Sequence, residues 1–377
     1  MAALMSPAPA DPRQQAGIDD RQTQRVLRIV FVQGPHTSER EALALKDAIG
    51  RADVFSPEYN FGSESGLRQV EDSYRRMFGL LAEGKNAEFD GRRDLERSRE
   101  MAHGTCPRFV NTQDDLIYEA RTPVLYVERF SDEEARRYAR MQHQTMALAR
   151  DSIVSFISGD FNGALNNTLQ QVSMEAMLEM AREDNIIRNA QQAIPRILEH
   201  YPMLARKSEL TYVVSLGSTH TRPGEELSRL QSDRFRVEVL NEHADVLPTT
   251  RTELIRGIKT GGVPQLDDVA EQLGRCVLED LTKMFVPKDH PLQESYLAKE
   301  LTLKAMASRV PLDDIRGLCR TLGEGGREGS ASTDKLKELL NGVYARNGVE
   351  VDLDFNVTQV NRMLQTSYPS FGERYRI

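Results

Sequence analysis

Short runs of β-branched and aromatic residues alternate along this chain with longer stretches whose apolar positions fall three and four residues apart. Residues 28–33 (Arg-Ile-Val-Phe-Val-Gln) and 210–216 (Leu-Thr-Tyr-Val-Val-Ser-Leu) are short, nearly continuous apolar runs and read as buried strands. Ala52–Glu58 and Pro123–Glu128 read as two more, and Phe235–Leu240, which alternates apolar and polar residues, as a more exposed edge strand. Between them the period changes. Ala42, Leu43, Leu45, Ala48 and Ile49 keep helical spacing behind Ser38, a good N-cap. Leu67, Val70, Tyr74, Met77, Phe78 and Leu81 mark an amphipathic helix. Ser131-Asp132-Glu133-Glu134 opens a mostly helical stretch, 132–203, broken at Gly-Asp-Phe-Asn-Gly, 159–163. Within it Met174–Tyr201 reads as a core helix carrying Met177, Met180, Ile186, Ile187, Ala190, Ala193, Ile194, Ile197 and Leu198, with a kink or restart at Pro195.

Strands alternating with helices predict an α/β fold: a largely parallel central sheet flanked by helices. The 60–119 stretch is long for a connection between strands and reads as a helical cap insertion. After about Ala244 only helical patterns remain, with a Gly- and Ser-rich linker at 323–332. The expected organisation is a mobile tail over 1–24, an α/β core over 25–245 and a helical C-terminal region over 246–377.

Composition narrows the function classes. With 377 residues and a formal net charge of −8, a long-range field repels polyanions, so neither nucleic acid nor a membrane surface is an expected partner. The chain has no tryptophan and 6 % aromatic residues, which argues against a base-stacking platform. Cys106, Cys276 and Cys319 are too widely spaced for a zinc motif and are expected to be buried thiols. No apolar run reaches the roughly 18 residues of a membrane span, and the Pro-rich start is unlike a secretory signal. A cytoplasmic protein is the expectation.

The candidate chemistry lies in a phrase that occurs twice. Gln33-Gly34-Pro35-His36-Thr37 follows the first strand, and Gly217-Ser218-Thr219-His220-Thr221 follows the fourth. Ligands of open α/β sheets bind outside the carboxyl ends of the strands. Glu58 ends the second strand and Glu128 the third, so all four side chains are expected at one rim if the strands are parallel. Glu128 has a simpler reading, neutralising the adjacent Arg129. The histidines His103, His143, His200, His243 and His290 have no patterned context and are expected to play surface or capping roles. Two imidazoles and a carboxylate can ligate a divalent ion, or can work metal-free as an acid/base pair. There is no phosphate-binding GxxxxGK[ST] loop, no GxGxxG turn, no GxSxG elbow and no HExxH helix.

This arrangement resembles the superfamily containing TraB/PrgY, the Tiki proteases, erythromycin esterase-like enzymes and the haem-binding ChaN-like proteins. The resemblance spans roughly residues 25–242 and rests on the two histidine phrases, the strand ending at Glu58, and the helix Arg182-Glu183-Asp184-Asn185-Ile186-Ile187-Arg188-Asn189. The first phrase departs from the family in carrying Gln33 where glycine is usual. The resemblance implies a centre of His36, Glu58, Arg182 and His220, with Arg188 the alternative arginine. It implies a hydrolase of an ester or peptide bond, in which His36, Glu58 and His220 hold Mn, Co or Zn or activate water directly. Its binders make a noncatalytic module for a peptide, haem or other small ligand the first rival, and an interaction protein on a decayed enzyme core the second. An enzyme is expected to keep a folded site without residues 246–377.

Overall fold

The strand β1, Val26–Gly34, is buried along nearly its whole length because it lies inside the sheet with both neighbours parallel to it. The structure is a computed structural model describing residues 25–34, 39–58, 62–79, 107–217, 220–241, 249–261, 266–293, 296–326 and 333–369. After β1 come the helices α1 (Glu39–Ala44) and α2 (Lys46–Arg51), then β2 (Val54–Ser56), β3 (Gly62–Ser63), α3 (Glu64–Met77), α4 (Pro107–Ala120) and β4 (Arg129–Phe130). A long hairpin of α5 (Asp132–Ile157) and α6 (Phe161–Gln191) leads through α7 (Ala193–His200) to β5 (Glu209–Gly217), α8 (Arg222–Ser228) and β6 (Phe235–Asn241). The remaining described helices are α9 (Thr250–Lys259), α10 (Leu266–Lys283), α11 (Tyr296–Ala307), α12 (Leu312–Gly326), α13 (Thr333–Arg346) and α14 (Val357–Ser367).

The central sheet has the order β2-β5-β1-β6 and every pairing is parallel, as the alternating pattern predicts. Alternation of side chains along the strands sorts two cores. Val30, Val32, Phe55 and Val213 face α3 and α4 through Leu67, Tyr74, Phe109 and Ile117. Ile29, Phe31, Val54, Tyr212 and Val214 face α6 and α7 through Ile186, Ala190 and Ile197. The 60–119 stretch thus contributes two helices to one face of the sheet, while 80–106 lie outside the described residues. β6 lies at the edge of the sheet beside β1 and is the half-exposed edge its alternation predicts.

Pro123–Glu128, read as the third strand, is a buried extended segment joined to β2 by one parallel bridge, Phe55 to Val124, instead of a full ladder. The partner runs out. β2 ends at Ser56 and Pro57 has no N–H to give the Leu125 carbonyl, which accepts from Tyr212 Oη at 2.7 Å instead; Val127 N–H donates to Ser56 Oγ at 2.9 Å and Tyr126 N–H to Glu71 Oε1 at 2.8 Å.

The hairpin forms where the caps predict. Ser131 and Glu134 make a reciprocal capping box for α5, and Asp160 accepts from Gly163 N–H to start α6. The helix breaks at Gln192 and restarts with Pro195 inside the first turn of α7, where a missing N–H is harmless. The buried stripe of α6 differs from the one predicted. Val172, Ala176, Glu183, Ile186 and Ala190 face inward, while Met177 is 47 % exposed, because α6 must pack on both the sheet and the C-terminal helices.

Those helices are not an appendage. Phe156 and Ala164 from the hairpin sit in one core with Leu278, Leu301, Ile315 and Val360. Leu165, Val172 and Ala176 sit in another with Leu254, Ile255, Leu273 and Cys276. At the hairpin turn Gly159 (φ +86°) meets Gly323 of α12 so closely that a Cβ on Gly323 would lie 2.6 Å from the Gly159 Cα. Cys276 and Cys319 are free and buried, and Cys106 lies outside the described residues. The tail over 1–24 and residues 327–332 of the linker also lie outside them. No helix among the described residues is long and apolar enough to cross a membrane.

Candidate functional site

Parallel pairing puts the carboxyl ends of β1 and β5 side by side, with Gly34 opposite Gly217. The two histidine phrases therefore leave the sheet from adjacent strands at one rim. Residues 35–38, including His36, and residues 218–219 lie outside the described residues.

His220 is buried at 2 % exposure and its main chain is held twice. Its N–H donates to the Gly217 carbonyl at 3.0 Å, closing the turn, and its carbonyl accepts from Gln33 Nε2 at 2.8 Å. Gln33 thereby links the end of β1 to the second phrase. On the ring, Nε2 lies 3.6 Å from Glu58 Oε1 and Nδ1 lies 3.6 Å from Glu183 Oε1, ion-pair distances just beyond hydrogen-bond reach. The Glu58 carboxylate rests against Gly217, where a Cβ would stand 3.0 Å from Oε1. Glycine at that position makes room for the acid.

Arg182 projects from α6 to the same place. Nε and an Nη donate to the two oxygens of Glu128 at 2.6 and 2.9 Å, and the same Nη reaches Glu58 Oε1 at 3.5 Å. Burial works against the guanidinium charge, but Glu128 and then Glu58 more than offset it and hold its pKa above the usual value. Tyr138 stands in this field, and burial pushes its phenol up to about 12. Glu183 is fully buried; burial raises its pKa, yet His220 and Lys259 outweigh that and keep it below the usual carboxylate range. Lys259 Nζ donates to Glu183 at 2.7 Å and to Glu179 at 3.2 Å.

The structure brings Glu58, Arg182 and His220 together, from just beyond the ends of β2 and β5 and from α6. Glu128 is assigned differently. Its partner is Arg182, while Arg129 turns the other way and is buried against Glu71 at 2.9 Å and Glu64 at 2.8 Å. Consecutive residues of an extended segment point to opposite sides, so sequence adjacency misleads here. Arg188, the alternative arginine, lies on the exposed face and pairs with Glu134 at 3.4 Å. His200 and His290 bond to the carbonyls of Arg196 and Phe355 in ordinary structural roles.

Two residues at the site were not anticipated. Glu183 carries a signal that was there to read, a carboxylate on the inward stripe of α6 beside Arg182. Lys259 carries none, since its partner is 76 residues away.

A catalytic zinc takes three protein ligands. With His36 outside the described residues, Glu58 and His220 are the donors that remain of the expected set, and among the described residues no group of three or more His, Cys, Asp or Glu is placed to hold an ion. The described donors do not by themselves make a metal site. They do bring an imidazole and a carboxylate, groups able to act as base and acid, beside a fixed cation. No family model, curated protein or solved structure matches the chain.

Proposed function

We propose that this chain is a hydrolase of an ester or peptide bond whose centre is built on Glu58, Arg182 and His220, with His36 two residues beyond the end of β1. The observation that carries the reading is the convergence of an imidazole, a carboxylate and a guanidinium, from three separate segments, at the carboxyl rim of a parallel sheet. It is also the activity that the family resemblance implies.

His220 Nε2, facing Glu58, is the general base. It takes a proton from the attacking water as the water's oxygen bonds to the carbonyl carbon, and returns it to the leaving group as the scissile bond breaks. Glu58 steadies the imidazolium formed between these steps. Arg182, fixed by its two bonds to Glu128, supplies positive charge for the tetrahedral oxyanion without reorganising.

Purified protein assayed against a panel of esters and peptides tests this. His220→Ala and His36→Ala are each expected to lower turnover about 10²- to 10⁴-fold. Activity surviving in both would sink the reading, and tight ligand retention without product would replace it with a binding module. Titration with Mn²⁺, Co²⁺ and Zn²⁺ in the same assay reads whether His36 completes a metal site: stoichiometric ion lost in His36→Ala would add a metal to this centre.

A further inference from the structure

We infer that Glu183 and Lys259 are positioning residues for His220, and that through Lys259 the C-terminal helices set the geometry of the site. This rests on the proposed role of His220 as the base.

A neutral imidazole carries one proton, and the base needs its lone pair on the nitrogen that faces the reacting water. His220 is flanked on both sides, by Glu58 at Nε2 and Glu183 at Nδ1. The two acids are unequal. Glu58 lies at the rim, partly exposed and shared with Arg182. Glu183 is fully buried, and its Oε2 makes no hydrogen bond among the described residues, nor does His220 Nδ1. The buried Nδ1, which makes no hydrogen bond among the described residues and lies 3.6 Å from Glu183 Oε1, is relieved when it keeps the proton and points it at that carboxylate. That leaves Nε2 with its lone pair toward Glu58.

Glu183 can hold this position because Lys259 balances it. Lys259 ends α9, where the helix dipole favours a cation, and its side chain is only 12 % exposed. Leu254 and Ile255 of the same helix pack on Val172 and Ala176 of α6, which fixes where the ammonium arrives. Main-chain anchoring of His220 by Gly217 and Gln33 sets the ring's base, and the Lys259–Glu183 pair sets its face. An orienting carboxylate behind a working histidine is a general device for choosing its tautomer.

Proton and nitrogen NMR of the neutral His220 ring in the full-length protein tests this without a substrate. The expected wild-type signature is an Nδ1-bound proton shifted downfield by a carboxylate acceptor. Glu183→Gln is expected to remove that shift, Lys259→Met to weaken it and Lys259→Arg to restore it. Turnover should follow, with losses of about 10- to 100-fold in the first two and recovery in the third. A purely structural pair would lower melting temperature and leave the ring signal in place. If Glu183→Gln does not fold, Lys259→Met and its rescue by Lys259→Arg carry the test alone. An unchanged ring signal in folded Lys259→Met overturns the inference. A wild-type protein that shows the signature but hydrolyses nothing overturns the function and leaves the positioning intact.

Discussion

A methyl group on Gly217 would stand 3.0 Å from Glu58 Oε1, closer than side chains normally approach, and the atom it meets is the end of a flexible chain. The carboxylate can swing away at little cost to the fold, but only by leaving the imidazole it faces. Gly217→Ala is therefore expected to cost about 1 kcal/mol of stability, the low end for overpacking. Its turnover should drop on the order of 10²-fold from misplacement of Glu58. Melting curves and turnover measured on one preparation check the split, and wild-type turnover in a stably folded variant would show that the place of Glu58 does not matter. Legibility also divides at this scale. Glu58 and His220 could be found because they sit at strand ends, and Arg182 because of the pattern around it. The pairing of Glu128 with Arg182 could not, since choosing between Arg129 and Arg182 requires knowing which side of an extended segment each residue faces.

Helices decide which charges the protein must bury. On α10, Glu279 is 6 % exposed and accepts from Thr250 Oγ1 of α9 at 2.7 Å, while burial pushes its carboxyl up to about 8. Asp280 shifts the same way by burial, against the pull of Arg251. A carboxyl whose pKa is raised by folding keeps its proton in the native state when the unfolded chain has already released it. The stability contributed by Glu279 is thus fully present below the ordinary value of 4.5 and is lost as pH rises through about 8. The expected loss across that window is on the order of 2–4 kcal/mol. Glu279→Gln keeps the acceptor for Thr250 and removes the titration. It should flatten the dependence of melting temperature on pH and melt higher than wild type at about pH 8; parallel profiles for the two proteins would show that Glu279 titrates normally. Periodicity located these helices, and it also placed the restart near Pro195. It misassigned Met177 because a 31-residue helix with two different neighbours has no single inward face.

The α5–α6 hairpin joins the sheet to the C-terminal helices, with Arg182 and Glu183 near the sheet end of α6 and Leu165 and Val172 in a core shared with α9 and α10. Burial of a large apolar side chain contributes about 1.5–3 kcal/mol. Uncovering Phe156, Leu165 and Val172 would thus remove a large share of a net stability of about 5–15 kcal/mol. A chain ending at residue 245 is expected to aggregate or to lose cooperative melting, contrary to the idea that the α/β part keeps its site alone. Size-exclusion chromatography and thermal melting read this directly; a monomer with a sharp transition would mean the two parts fold independently. What the sequence by itself determined was local: which runs form strands, which form helices, where caps and breaks fall, and that two histidine phrases follow buried strands. Those follow from backbone propensity and from periods of two and 3.6 residues, which act within a few positions of each other. Only the tertiary structure decided that the phrases leave neighbouring parallel strands, that Glu128 answers Arg182, and that Lys259 reaches Glu183. A buried charge is tolerated only where packing delivers its partner, and the partner is chosen by which helices meet, not by which residues are near in sequence.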